Sequence, residues 1–290
     1  MESTRPDRLQ PAALAAYGGG WPACLEASVA RIAGRSTLLR VEHRGPMRLQ
    51  KALWPEGADP VHLILLHPPG GIAGGDSLSL TIDVQAEAHA LLTTPGAGRW
   101  YRGDATARQD TTLRVAAGAG LEWLPQETIV HDGVLADSTV DVRLDEGAAA
   151  IGWEVTVLGR RAFGERLRCG EFRQSLRISL CGEPLFEDHA RICGDEAGLP
   201  AALGEHHVSG LLWAVSAQAL DADIAQPVEA AMMHAGASLA GASRVDPRLL
   251  LARAVGSSPE RVRAALAGAW EALRPVVLGR QARSPRIWTT

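Results

Sequence analysis

Four carboxylates sit in settings where a charged oxygen is costly. Asp76 closes the run His67-Pro68-Pro69-Gly70-Gly71-Ile72-Ala73-Gly74-Gly75-Asp76, and Glu127 lies in Leu121-Glu122-Trp123-Leu124-Pro125-Gln126-Glu127-Thr128-Ile129. Glu154 follows Gly152-Trp153, and Glu165 follows Gly164. A carboxylate among apolar neighbours must be paired, metal-bound or protonated, because desolvating it alone is expensive. Two outcomes are open at each position. An arginine such as Arg99 or Arg102 can neutralise Glu127, and arginine is equally available to the other three. Alternatively, a lining of carboxylate and water oxygens can hold a divalent ion loosely, which suits transit better than catalysis.

A closed zinc cage is not expected, since the chain offers too little histidine and thiolate in the right spacing. Its nine histidines contain no His-Glu-x-x-His and no His-x-His. In Glu205-His206-His207 adjacent side chains diverge, which reads as a surface or capping pair, and His131 before Asp132-Gly133 reads as a turn residue. Cys24, Cys169, Cys181 and Cys193 contain no Cys-x-x-Cys; reduced thiols are expected, with the last three as small buried groups.

Other chemistries find little support. Lys51 is the only lysine and follows Gln50, so neither a Schiff-base lysine nor a phosphate loop ending in Gly-Lys-Ser/Thr can be written. Gly75-Asp76-Ser77-Leu78 spells the short signature of GDSL-type serine esterases, with Ser77 as nucleophile. That enzyme alternative lacks a histidine preceded by aspartate at the usual spacing, and Ser77 opens an alternating strand rather than an α/β chain.

The residues flanking these groups must build the elements that position them. Leu78, Leu80, Ile82 and Val84 alternate with polar residues, as do Val140, Val142 and Leu144, and then Leu176, Ile178 and Leu180. Val61-His62-Leu63-Ile64-Leu65-Leu66 reads as a strand covered on both faces. The glycine- and proline-rich loop from His67, with Gly70, Gly71, Gly74 and Gly75, has a shape that other residues do not permit. The absence of helical periods between strands argues against βαβ units. The expected body is therefore mainly β, an irregular sandwich or solenoid, followed by a C-terminal pair of helices over Asp223–His234 and Pro259–Leu273. In the second, Ser258 caps, Pro259 and Glu260 suit the first turn, and Pro275 stops the helix. Its stripe of Val262, Leu266, Trp270 and Leu273 is a candidate partner-binding face. No fixed repeat is apparent.

At 290 residues, with 46% hydrophobic and 21% charged residues, the chain is long enough for a sizeable core without staples. The net charge of -4 argues against nucleic acid as a partner. No signal peptide or run of about 18 apolar residues is seen, so a cytoplasmic protein without a membrane span is expected. Residues 1–22 read as a flexible leader, 23–279 as one domain (a β body to about 200 and a mixed, helix-containing part over 201–279), and 280–290 as a flexible tail.

Four phrases in order, HPPGGIAGGD at 67–76, TTPGAGRWYR at 93–102, LEWLPQETIV at 121–130 and GWEVTVLGR with GE at 152–165, resemble the urease accessory protein UreD family, called UreH in some bacteria. The resemblance spans roughly Cys24 to Gly279. It implies a non-enzymatic scaffold or metallochaperone that binds urease apoprotein and, with UreF and the GTPase UreG, enables nickel insertion; a 2:2:2 heteromer with UreF and UreG fits it. Nickel is then an ion in transit, with no tightly bound cofactor. Carried onto this chain, the resemblance makes Asp76, Glu127, Glu154 and Glu165 the metal-transit candidates, with His67 and Arg102 beside them, and directs the region from Gly236 to Thr290 toward UreF. Family members often carry an aromatic residue at the position of His131, which leaves that histidine outside the set.

Overall fold

A computed structural model describes residues 20–194 and 203–289, so nearly all of the expected leader lies outside the described residues. Two sheets face each other. The first is ordered Glu183–Cys193, Gly170–Leu180, Val134–Leu144, Ala107–Val115, Ser77–Val84, Pro22–Ile32 and Arg35–Arg44. The second runs Leu239–Asp246, Leu249–Gly256, Val208–Val215, Ala149–Leu158, Gly120–Leu124, His89–Thr93, Val61–Leu66 and Arg48–Leu49. Short strands Gly98–Trp100 and Thr128–Val130 pair with each other, and the latter also pairs with Ala149–Leu158.

The architecture is mainly β with two C-terminal helices, as expected. From Val61 to Leu180 the chain alternates between the two sheets, so strands brought together in each are parallel without any βαβ crossover. This is a solenoid-like winding with unequal coils: Ser77 pairs with Arg108, Arg108 with Asp137, and Asp137 with Arg173. Unequal coil lengths are why no period shows in the sequence.

Parallel in-register pairing stacks like residues into rungs. Ile82, Leu113, Val142 and Ile178 form one fully apolar rung facing the second sheet. The second sheet answers with Leu63, Leu92, Trp123 and, across Gly152, Trp213. A Cβ on Gly152 would collide with the Trp213 ring, so glycine is required there for the close approach. Hydrophobic burial on this scale, about 25 cal/mol per Å² of apolar surface, holds the sheets together.

Two helices, α1 (Ala225–His234) and α2 (Pro259–Leu278), cover the outer face of the second sheet over Ala149–Leu158, Val208–Val215 and Leu249–Gly256; in the buried strand Val61–Leu66, His62 is held by Glu56, which Arg274 of α2 also binds. Ser258 caps α2, its hydroxyl accepting from the Arg261 amide, with Pro259 in the first turn. Pro275 does not stop the helix, contrary to expectation. A proline removes one helical N–H donor, but Arg274 and Val277 on either side are buried, and the helix continues to Leu278 before Gly279 caps it in a left-handed conformation.

The stripe expected to bind a partner is also reassigned. Val262, Leu266, Trp270 and Leu273 are at most 3% exposed and pack in one cluster with Ile151, Val155 and Leu212 of the sheet. The sheet's own outer face consumes them. The tail is likewise docked rather than loose: Trp288 packs against Trp153 and Trp270 and donates to Thr93 Oγ1 at 2.8 Å, while Arg280 and Arg283 donate to the carbonyls of Asp59 and Pro55. None of the four cysteines is in a disulfide, and Cys169 and Cys181 are exposed rather than buried, because each lies at a turn beyond a strand end.

Candidate functional site

The inter-sheet rungs change character toward one end. Two residues from the Leu80–Thr111–Val140–Leu176 rung, the next inward-facing set is Leu78, Gln109, Ser138 and Gln174. Opposite it, alternation along Ala149–Leu158 sends Trp153, Val155 and Val157 to the helix layer and leaves Glu154 and Thr156 facing inward. Large apolar side chains are replaced by amides and hydroxyls, and the sheets do not close tightly.

Two hollows result. One of about 260 Å³ is lined by His67, Gly70, Gly71, Thr94–Arg99, Gln109, Gln126, Thr128, Ser138 and Glu154, among others. A smaller one of about 90 Å³ is lined by Glu154, Thr156, Gln174, Asp188, Ser209 and Arg253 with apolar neighbours. Glu154 is common to both. Its neighbouring cation is already engaged, Arg253 pairing with Asp188 at 2.7 Å. Burial pushes the Glu154 carboxyl up to about 7; the Gln174 amide opposes that and the Asp188 charge adds to it.

The other three expected carboxylates go elsewhere. Asp76 organises its own loop, its two oxygens accepting from the amides of Trp21 and Ala73 at 2.8 Å each. Glu127 points away from Gln126 and Thr128 and lies 3.9 Å from Arg263 of α2. Glu165 is held by Arg160 at 2.5 Å and accepts from the Asp132 amide. Burial alone would raise the Glu165 carboxyl, but those contacts with Arg160 and the amide outweigh it and hold the group below its usual range.

Of the supporting loop, His67, Gly70 and Gly71 line the mouth of the larger hollow. Burial pushes the His67 imidazole below its ordinary value, and Asp76 only partly offsets this. Gly74 approaches the backbone of Gly103 too closely for any Cβ, and Gly75 adopts φ of 85°. Arg102 stands apart from the hollows. It donates to the Asp132 carbonyl at 3.4 Å, and its guanidinium lies 4.0 Å from the Asp132 carboxylate. The turn reading of His131 holds: its ring lies edge-on to Tyr101, 3.8 Å from Glu165. Ser77 opens its strand, and among the described residues no histidine is hydrogen-bonded to its hydroxyl.

Sequence reasoning missed a second charged centre. In the layer between sheet and α2, fully buried Glu122 accepts from Arg274 Nε at 2.9 Å and Nη2 at 3.0 Å, from Trp270 Nε1 at 2.7 Å, and contacts His89 Nε2 at 3.0 Å. Arg274 is also bidentate to Glu56, at 2.8 and 2.9 Å, and Glu56 contacts His62 at 2.8 Å. Burial would raise Glu56, but the hydrogen bonds from His62 and Arg274 bring it down to about 2. With every acid–base bond used internally, this centre clamps α2 to the sheet. Trp270 and Arg274 lie more than 140 residues along the chain from the carboxylates they bind, and no local pattern announces those contacts.

Among the described residues, no group of three or more His, Cys, Asp or Glu side chains is placed to hold a metal ion, and no helix is long and apolar enough to cross a membrane. The site is therefore a pair of hollows between the sheets that share Glu154 as a lining residue. Comparison with known proteins places this chain in a family. The family described as UreD urease accessory protein matches residues 22–289. Urease accessory protein UreD of Ralstonia nicotianae is 42% identical over 98% of this chain and 99% of its own length. The UreD proteins of Pseudomonas fluorescens Pf-5 and Methylobacillus flagellatus are 39% and 38% identical over 97% and 93% of this chain, and 99% and 95% of their own lengths. A match of this extent, on a β body wound as described, makes the chain a member of the UreD family of urease accessory proteins.

Proposed function

We propose that the protein serves urease maturation as a cytoplasmic, non-catalytic scaffold, holding urease apoprotein together with UreF and the GTPase UreG while Ni²⁺ crosses between the sheets past Glu154. The observation that carries this reading is the position of Glu154 on both hollows, with no guanidinium paired to it among the described residues. A hydrated divalent ion entering the larger hollow comes onto Glu154, which also lines the smaller one. Between the two the ion exchanges waters for the Glu154 carboxylate and the neutral oxygens of Thr156, Gln174 and Ser209. One carboxylate and neutral oxygens bind nickel less firmly than imidazole or thiolate, so the ion moves on.

The test is the nickel content of purified urease matured in cells carrying Glu154→Gln. Content reduced severalfold, with the complex still assembling, supports passage at this residue. Unchanged nickel refutes it. Asp76→Asn, Glu127→Gln and Glu165→Gln are the comparators: their loop, surface and ion-pair positions give them a hold on stability or assembly rather than on the ion.

A further inference from the structure

At the same end of the body as the mouth of the larger hollow, the loop Gly159–Cys169 stands out from the sheets. Its sequence, GRRAFGERLRC, holds four arginines against one glutamate. The loop is built to stay in place. The Gly159 amide donates to the Val130 carbonyl, Gly164 in a left-handed conformation ends a single 3-10 turn over Arg161–Phe163, and Asp132 Oδ1 accepts from the amides of Arg168 and Cys169 at 2.7 and 2.9 Å. At its apex, Phe163 is 81% exposed, the most exposed of the large apolar side chains described.

The charges around that ring are not balanced. Arg160 is spent on Glu165 and Arg168 on Asp132. Arg161 and Arg166 have no ion pair among the described residues, and Arg161 Nε is buried without an acceptor. His207 faces the same group: burial pushes its imidazole down, and Arg161, His206 and Arg166 push it further. On the neighbouring side burial pushes the His131 imidazole down, Glu165 partly offsets this, and Arg160 and Arg99 add to the lowering. The two arginines left over, Arg161 and Arg166, are a cost to the free protein that an acidic partner relieves.

We propose that this loop is a docking surface for an acidic protein segment with an apolar notch, which takes Phe163 into the notch and pairs its carboxylates with Arg161 and Arg166. A small anion satisfies the arginines but leaves the aromatic ring in water, so a protein segment is the better fit. A preformed apex with one aromatic anchor and flanking arginines is the arrangement that concentrates binding energy in few residues. The inference rests on the scaffold reading above and names a surface for one of its contacts.

The experiment uses the full-length protein, titrated in 50 and 300 mM NaCl against purified urease apoprotein and against purified UreF, with inorganic phosphate as competitor. The variants are Phe163→Ala, Arg161→Glu with Arg166→Glu, and Arg161→Lys with Arg166→Lys, each checked by thermal melting. For one of the two partners, the Ala and the double Glu variants are expected to bind at least tenfold more weakly. The double Lys variant stays near wild type, and high salt weakens wild type more than the double Glu variant. Undiminished binding to both partners overturns the proposal. So does loss in the double Lys variant equal to that in the double Glu variant, which assigns the arginines to loop shape, or competition by phosphate with no effect of Phe163→Ala, which assigns a small-anion site. If the double Glu variant does not fold, the exposed Phe163 keeps the question open to measurement. Glu154→Gln is the separating control: normal docking with reduced nickel leaves both readings standing, and normal nickel there sinks the passage without touching the docking surface.

Discussion

Glu154→Gln has a consequence for stability that can be measured on the protein alone. In the unfolded chain the carboxyl titrates near 4.5, and in the fold near 7. The fold therefore holds the proton more tightly, and the associated stability is fully present below pH 4.5 and lost as pH rises through 7. At about 1.36 kcal/mol per tenfold change in proton affinity, the gap corresponds to on the order of 3 kcal/mol of destabilisation above pH 7. Glutamine keeps the size and hydrogen-bonding capacity without the charge. The variant should match wild type near pH 5 and exceed it at pH 8 by roughly 6–12 °C in melting temperature, using about 2–4 °C per kcal/mol for a chain of this size. Thermal melts of both proteins from pH 5 to 8 test it, since other titrating groups contribute equally to each. A difference that does not vary with pH, or a variant less stable at pH 8, refutes the reasoning that Glu154 is an enclosed, unpaired carboxylate between the sheets. A stabilised variant that delivers less nickel is the trade expected when a group is kept for function at the expense of the fold.

Arg274→Met should destabilise the protein by about 3–5 kcal/mol, because it leaves Glu122 and Glu56 buried without their shared cation; denaturant titration measures it, and a cost below about 1 kcal/mol contradicts the clamp. Trp288→Ala should cost about 2 kcal/mol through loss of its ring contacts and its bond to Thr93, and should raise proteolysis beyond Gly279; an unchanged cleavage pattern contradicts a docked tail. Glu165→Gln weakens the hold on Arg160 and should loosen the 159–169 loop, read as faster amide exchange there, while nickel content of urease stays near wild type.

How much of this was legible in the sequence depends on the range of the interaction. Alternation in 78–84, 140–144 and 176–180 announced strands and their buried faces, because side-chain direction is a local property. Which strands lie side by side was not legible, since Ser77, Arg108, Asp137 and Arg173 meet through coils of unequal length. Apolar neighbours single out Glu154, which lines both hollows. The same signal also selected Asp76, Glu127 and Glu165, because neighbours in sequence cannot reveal an amide pair or an arginine arriving from another element. Glu122 carried it just as strongly and was passed over. The stripe on α2 showed an apolar face truly but not its occupant, and the outer face of the second sheet takes it. Ile287 and Trp288 in an otherwise basic tail were the one hint that the C-terminal segment packs down.

Winding the chain back and forth between two walls has a geometric corollary. Strands in a sheet are about 4.8 Å apart, so the polar rung from Leu78 through Gln109 and Ser138 to Gln174 crosses three such steps and covers about 14 Å at right angles to the strands. The extent of this polar layer is thus counted in turns of the winding, while its width is set by which side chain each turn points inward. Adding or removing one turn would lengthen or shorten the layer by a strand's breadth.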